Sequence, residues 1–480
     1  MLILADDMGY GDLAVQNPES QIPTPSLDAL AAEGVRFTDA HSPSAVCSPT
    51  RYGILTGRYS WRTRLQRGVL FEWERPLIEP ERLTLPKALK ERGYHTALIG
   101  KWHIGWEWPG IDGYQPKRGD TGDRIDFDQP LSGGPLGTGF DSYFGDDVPN
   151  YPPYTFIEND RVLETPTLQK PASMFGAPGV MAPNWKLDAV MPAIRDRSIA
   201  YIESRGSRPK QPFFLFVSLT AQHTPIAPAA EFQGHSNAGA YGDYVFQLDQ
   251  MVGALIDTLK ATGLDDNTLV MFTSDNGSPA RDGEAMSGGL NSVRALGHNP
   301  SRPWRGIKGD AWEGGHRVPF LARWPGQIAG DRVSDRTISL VDSFATLAEI
   351  TGTALAEDAA EDSASFASAL TEDGSADQNS REAIVLHSDE GYFVVRQENW
   401  KLILGCGSGG FSRSEPCQED SWQLYDLAAD PGETSNVLED HPAIAAKMAT
   451  TLEHYQADGR SVYRGSKPSR LTKVATLSDR

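Results

Sequence analysis

Short apolar runs alternate with amphipathic segments along most of the chain. Residues 2–5 (LILA) form an apolar run ended by two aspartates, as expected of a strand buried on both faces. Residues 26–34 predict a helix capped by Ser26 and stopped by Gly34. A second helix is predicted over 83–93, followed by a strand over 95–99 that runs into Gly100-Lys101-Trp102-His103. Residues 190–205 read as a helix, and 212–219 (PFFLFVSL) as a buried strand ending near His223. A long amphipathic helix over 241–262 precedes the strand 268–273 (TLVMFT), which ends at Asp275-Asn276. A strand over 318–324 and a helix over 343–351 complete this part.

Strands that alternate with helices predict an α/β fold, with a mostly parallel sheet sandwiched by helices. Ligands of such sheets sit at the carboxyl ends of the strands. Asp6-Asp7, Lys101 with His103, His223, and Asp275-Asn276 all follow apolar strands. Four strand ends thus converge on one edge. Residues 354–380 are acidic and rich in Ala and Ser, and read as a solvated linker. Short strands at 383–387, 392–396 and 401–404 predict an antiparallel sheet, and 441–459 a terminal helix. The expected division is a catalytic α/β domain over 1–380 and a smaller C-terminal subdomain over 381–480.

Charge narrows the partners. The 480 residues carry a net charge of −20, which argues against nucleic acid and anionic membrane surfaces. An acidic protein that binds an anion must gather its basic residues in one cleft. No run approaches the roughly 18 apolar residues of a membrane helix. The three cysteines divide into Cys47 and a pair, Cys406 and Cys417, in a Gly/Ser-rich loop. That pair reads either as a local disulfide in an exported protein or as two free thiols in a cytosolic one.

Adjacent carboxylates at a strand end are costly to bury unless a cation neutralises them. Asp6, Asp7, Asp275 and Asn276 together offer only oxygen, which suits Ca²⁺ or Mg²⁺ and does not suit zinc. Cys47 is expected at the start of a helix, with Pro49 in its first turn and Arg51 four residues on, on the same side. In an extended segment Lys101 and His103 share a face, with Trp102 on the other.

The run Cys47-Ser48-Pro49-Thr50-Arg51, followed by Leu55-Thr56-Gly57-Arg58, resembles the type I sulfatase signature C-x-P-x-R with L-T-G-R. Gly100-Lys101-Trp102-His103-Ile104-Gly105 is similar to the G-K-W-H-x-G pattern of that family. Residues 305–319 resemble its R-G-x-K…W-E-G-G-x-R-x-P segment, with Lys308 as the lysine. The motifs cover most of residues 1–325 in the family's order, and the match beyond is looser.

The resemblance implies an alkaline-phosphatase-like fold and a sulfuric ester hydrolase. It implies that a maturation enzyme oxidises Cys47 to formylglycine, whose hydrate attacks sulfur, and that Ca²⁺ is held by Asp6, Asp7, Asp275, Asn276 and position 47. It implies that Arg51, Lys101 and Lys308 stabilise charge, that His103 serves the nucleophile, and that His223 protonates the leaving oxygen. Asp275 is the candidate base. Glu313 and Arg317 are expected to be structural, and His316 to face either substrate or core.

Chains of this family usually carry residues, often an export signal, before the first strand. This chain opens on that strand without a signal peptide, so it reads as a processed or late-started form, periplasmic or secreted by resemblance. The expected substrate is a sulfated saccharide, taken from its end, with small aryl sulfates also accepted. The alternatives are an arylsulfatase without sugar preference, a phosphatase or phosphodiesterase on the same fold, and an inactive binding protein with unconverted Cys47. Trp61, Trp106, Trp108, Tyr143, Tyr151, Trp304 and the 405–417 loop are candidates to line a sugar cleft.

Overall fold

The computed structural model describes residues 1–371, 381–414 and 421–464. Ten strands form the main sheet: β1 Leu2–Ala5, β2 Val35–Phe37, β3 His95–Gly100, β4 Ser142–Gly145, β5 Ile157–Glu158, β6 Arg161–Val162, β7 Phe213–Ser218, β8 Val270–Ser274, β9 Phe320–Arg323 and β10 Arg332–Ser334. Their order across the sheet is β10-β2-β9-β8-β1-β7-β3-β4-β5-β6. The central five, β8-β1-β7-β3-β4, are parallel, and antiparallel pairings flank them.

Alternation of side chains sends the strands' apolar residues to two layers. Leu2 and Leu4 pack with Tyr52, Leu55 and Phe344 on one face. Ile3 and Ala5 pack with Ile194, Leu248 and Val252 of the long helices Val190–Gly206 and Gly239–Ala261 on the other. Both faces are therefore dry, which is why the central strands read as unbroken apolar runs. No helix of the described residues is long and apolar enough to cross a membrane.

A second sheet lies near the C-terminus, with β11 Ile384–His387, β12 Phe393–Gln397, β13 Trp400–Ile403 and β14 Gln423–Asp426 paired antiparallel in that order. Val385, Val395 and Leu402 bury one face against Met448 and Leu452 of the helix Pro442–Asp458. Ile384, Val394 and Ile403 bury the other against Ala311 and Trp312. Beside that second face, Lys401 sits between Glu313 (3.0 Å) and Glu433 (2.7 Å), all fully buried.

Two expectations need correction. The first helix is Pro25–Ala32, preceded by Thr24, so Ser26 is not its cap. The Ser26 and Leu27 amides instead donate to Asp249 of the long helix, a tertiary cap that local sequence cannot reveal. The stretch read as a solvated acidic linker, 354–380, is partly core. Phe366 is buried, residues Ala367–Thr371 are helical, and Asp362 accepts from Arg62 and from the Tyr59 amide. Asp362 pairs with Arg62 and Glu361 with Arg82, acids that composition alone presents as solvated charge. Residues 372–380 of that stretch, and Cys417 of the proposed Cys406–Cys417 pair, lie outside the described residues.

Candidate active site

Strand register assembles the site. Ala5 pairs with Ser274, and Ser218 with both Leu4 and Gly100. The residues that follow, Asp6, Asp275 and Lys101, therefore emerge side by side at the carboxyl edge. Gly100 allows this approach: its φ is +118°, and a Cβ there would lie 1.7 Å from the Ser218 carbonyl oxygen. Asp7 turns off the strand with φ 71°, a conformation that costs on the order of 1–3 kcal/mol and must be held by its surroundings. Asn276 Nδ2 and Lys308 Nζ both donate to its carboxylate.

Cys47 is the first residue of the buried helix Cys47–Thr56. Pro49 falls among the first four residues, whose amides have no helical partner, so its missing N–H costs nothing there. The helix N-terminus points partial positive charge at the Cys47 side chain. Lys308 Nζ lies 3.4 Å from Sγ. Burial pushes the thiol up to about 12 despite Lys101 and Lys308, so the cysteine as encoded is protonated and a poor nucleophile at neutral pH.

Three buried carboxylates face three buried cations. Lys101 Nζ is 2.7 Å from Asp6, Lys308 binds Asp7, and Arg51 grips Asp275 through Nε (3.0 Å) and Nη2 (2.7 Å). Burial raises the pKa of Asp6, but Lys101, His223 and Arg51 outweigh it and hold the carboxyl below its ordinary range. Burial also raises Asp7, and Lys308 and His223 again bring it down. Asp275 goes the other way: burial and the charge of Asp6 raise it against Arg51. Arg51 shares the Cys47 side of the helix as expected, but its donors are spent on Asp275, on the Ser218 hydroxyl (2.6 Å) and on the Lys101 carbonyl (3.3 Å). It is placed to orient the carboxylate.

The two histidines are wired differently. His103 has φ 56°, so the segment is not extended there, as simple alternation supposes. Its Nε2 lies 2.8 Å from the Leu70 carbonyl, which makes Nε2–H the donor and leaves Nδ1 buried with no partner. Burial, then Lys101 and Arg51, hold this imidazole well below its usual pKa, in the form able to accept a proton. His223 Nδ1 lies 2.5 Å from the Thr224 carbonyl, and its Nε2 stands 3.9 Å from Asp7. Burial and Lys308 lower it also.

The carboxylate and amide oxygens of the site suit a hard divalent cation. Ligand atoms of Asp6, Asp7, Cys47 and His223 lie within 4.8 Å of one another. Asn276 Oδ1 is buried without a hydrogen-bond donor, and Asp6 Oδ1 has only a 3.5 Å approach from Arg51 Nη2. Unpartnered buried oxygens are costly, and a cation bound between them removes that cost. A second cluster, His41, Glu313 and His316, is committed elsewhere. The histidine Nδ1 atoms are 3.0 Å apart, His41 Nε2 bonds Asp39, and His316 Nε2 lies 3.0 Å from Lys401. His316 thus faces core.

Several residues around the site escaped the sequence reading. Asp147 accepts from the His103 amide (3.1 Å) and the Trp106 indole (3.2 Å), and burial raises its pKa to about 6. It follows β4 at the same sheet edge, so the strand-end rule that found Asp6 would have found it. The Leu70 carbonyl and Ser218 carry no sequence signal. Of the aromatic candidates, Trp106, Trp108 and Tyr143 are core, whereas Tyr151 packs beside His103, 6.2 Å between ring centres. Trp304 lies under Arg317 and against Tyr10.

Residues 1–353 match the Sulfatase family, and 308–458 match the C-terminal region of N-sulphoglucosamine sulphohydrolase. The chain is 32% identical to N-acetylgalactosamine-6-O-sulfatase of Bacteroides thetaiotaomicron over 494 residues, covering 94% of this chain and 91% of that one. It is 31% identical to arylsulfatase A of Homo sapiens over 458 residues, covering 91% and 83%. A solved structure from work on glycosaminoglycan metabolism by Bacteroides thetaiotaomicron superposes with a TM-score of 0.81 at 30% identity, covering 95% of this chain and 98% of that one.

Proposed function

The chain belongs to the sulfatase family of the alkaline-phosphatase-like superfamily, and on that premise we propose that it hydrolyses sulfate monoesters of carbohydrates, and small aryl sulfates as well, with position 47 as nucleophile. The observation that carries this is the setting of Cys47. A thiol that burial keeps protonated sits at a helix N-terminus, within 3.4 Å of a lysine and near an amide oxygen, Asn276 Oδ1, that has no partner. Carbohydrate substrates are favoured by the N-acetylgalactosamine-6-O-sulfatase relative, and aryl sulfates by arylsulfatase A.

Conversion of Cys47 to formylglycine by a maturation enzyme would supply an aldehyde hydrate, with one hydroxyl to take the sulfuryl group and another to release it. Ca²⁺, or Mg²⁺, held by Asp6, Asp7, Asp275, Asn276 and position 47, would add positive charge where the ester's oxygens sit. The chain's own residues do the rest. Lys101 and Lys308 bind sulfate oxygens and stabilise charge in the transition state. Arg51 fixes Asp275. His103 Nδ1 accepts a proton on the nucleophile's side. His223, its Nδ1–H fixed by the Thr224 carbonyl, presents Nε2 to the leaving oxygen. An arriving anion raises the pKa of that imidazole, so the proton it must give is stabilised by the substrate itself.

The test is a mass measurement with turnover. Active protein should show the Cys47 peptide lighter by about 18 Da, the thiol replaced by an aldehyde. Protein made without the maturation enzyme should fold and turn over nothing. Cys47→Ser should take up one sulfate and stop. If Cys47→Ala retains sulfatase activity, the nucleophile is another residue.

A further inference from the structure

A cleft of about 800 Å³ opens between the loop that follows the Cys47 helix and the second sheet, and four arginines, Arg58, Arg62, Arg64 and Arg67, line it with one acid, Glu390. In a chain of net charge −20 this concentration is out of character. The four differ in what holds them. Arg62 is paired with Asp362 at 2.8 Å and stacked on Trp61, and Arg58 sits against the Tyr52 hydroxyl, 3.6 Å from Glu361. Arg64 donates only to the backbone carbonyls of Arg75 and Pro76, with Glu74 as the acid within its field. Arg67 is exposed and, among the described residues, has no hydrogen bond or ion pair. Arg64 is thus held in place without a direct ion pair among the described residues, Glu74 being the acid near it, and Arg67 is free to close on an anion.

Two backbone segments run from the cleft to the catalytic residues. The arginine-bearing loop continues to Leu70, whose carbonyl holds His103, and the Gly68 amide bonds the Asp389 carbonyl (2.8 Å). Across the cleft, Glu390 follows Asp389, whose amide bonds the carbonyl of Gly309 beside Lys308, and whose carboxyl feels the Lys308 charge. Lys308 and the arginines thus stand on either side of the Asp389 turn, and a ligand with its sulfate ester at Lys308 would meet the arginines by running over that turn. The volume exceeds what one sulfate group fills and matches a drug-sized ligand.

We propose that this cleft is a second anion-binding subsite, which holds the carboxylates or sulfates of an acidic oligosaccharide while the ester at its end is hydrolysed. The inference rests on the sulfatase reading and narrows its substrate from sulfated sugars in general to polyanionic chains. Local charge complementarity is what lets an acidic protein accept such a chain, and it acts on affinity and on-rate.

The experiment uses the matured enzyme, its Arg64→Ala/Arg67→Ala double variant, and an Arg64→Lys/Arg67→Lys control. The probes are a sulfated, uronate-containing hexasaccharide and a nitroaryl sulfate. The alanine pair should weaken hexasaccharide binding, read by titration, by about tenfold, and flatten its salt dependence. Its KM and kcat for the aryl sulfate should stay within about twofold, and the lysine pair should bind nearly as wild type does. Equal losses on both probes, or no loss on the hexasaccharide, overturn the subsite. A polynucleotide of equal charge that competes as well as the saccharide overturns the substrate assignment. Aryl sulfate turnover without hexasaccharide binding sinks this inference alone. Failure to hydrolyse any sulfate ester sinks the sulfatase reading, and the binding titration still reports on the cleft.

Discussion

Replacing Lys101 with Met separates two jobs of one ammonium group. Lys101 and Asp6 are both fully buried and 2.7 Å apart. Removing one partner of a buried pair leaves an uncompensated charge, typically at a cost of about 3–5 kcal/mol. Arg51 also lies 3.5 Å from Asp6, although its shorter bonds go to Asp275. That neighbour places the expected loss near the lower end, about 3 kcal/mol. Chemical denaturation in the presence of a chelator should read it directly. Added Ca²⁺ should recover most of the stability, because a cation held at Asp6 would neutralise it and would bind only the folded state. Activity should not recover with it. Turnover of a nitroaryl sulfate should remain down about 10²–10³-fold, the range for one preorganised charge on the reacting group. A variant as stable as wild type in chelator would refute the charge accounting. Recovery of activity together with stability would show that Lys101 merely holds Asp6 and does not touch sulfate.

Three further outcomes follow from the same geometry. Chelation should abolish turnover, with Ca²⁺ or Mg²⁺ restoring it, and Asp7→Ala should lose the cation; full activity in a metal-free sample would remove the metal from the account. His223→Ala should lose about 10²–10⁴-fold on alkyl sulfates and much less on nitroaryl sulfates, whose leaving groups need no proton; a uniform loss would leave His223 as a sulfate ligand only. His387 is buried beside Ser60, and burial lowers its pKa from 6.5 to about 4. Its neutral form is the folded one, so the stability it contributes is present above pH 6.5 and lost as pH falls toward 4, by about 3 kcal/mol in all. Denaturation curves across that range should show the loss, and His387→Gln should flatten it.

The fold and the site were legible in the sequence to different depths. Apolar runs of four to eight residues ended by polar pairs located β1, β3, β7 and β8, because strands buried on both faces cannot carry polar residues except at their ends. The same logic brought Asp6, Lys101 and Asp275 to one edge. It missed Asp147, although β4 obeys the rule, because β4 (SYFG) is short and its apolar signal weak. It misread residues 359–370, because an acidic Ala/Ser-rich stretch looks solvated until Arg62 is seen to pair with Asp362.

The motif around Cys47 pointed to the sulfatase family by itself, and its Pro49 placed Cys47 at a helix N-terminus, where the structure has it. Local pattern also determined which strands are buried and where the polar residues leave them. Only the tertiary structure decided how those residues are spent. It committed Arg51 to Asp275, left His103 Nδ1 and Asn276 Oδ1 without partners, put His316 in the core, and gathered four arginines around one cleft. The physical reason is that a side chain's charge state and free valence depend on neighbours distant in sequence. Burial and pairing shift each group by several kilocalories per mole, and nothing in the order of residues along the chain records which neighbour arrives.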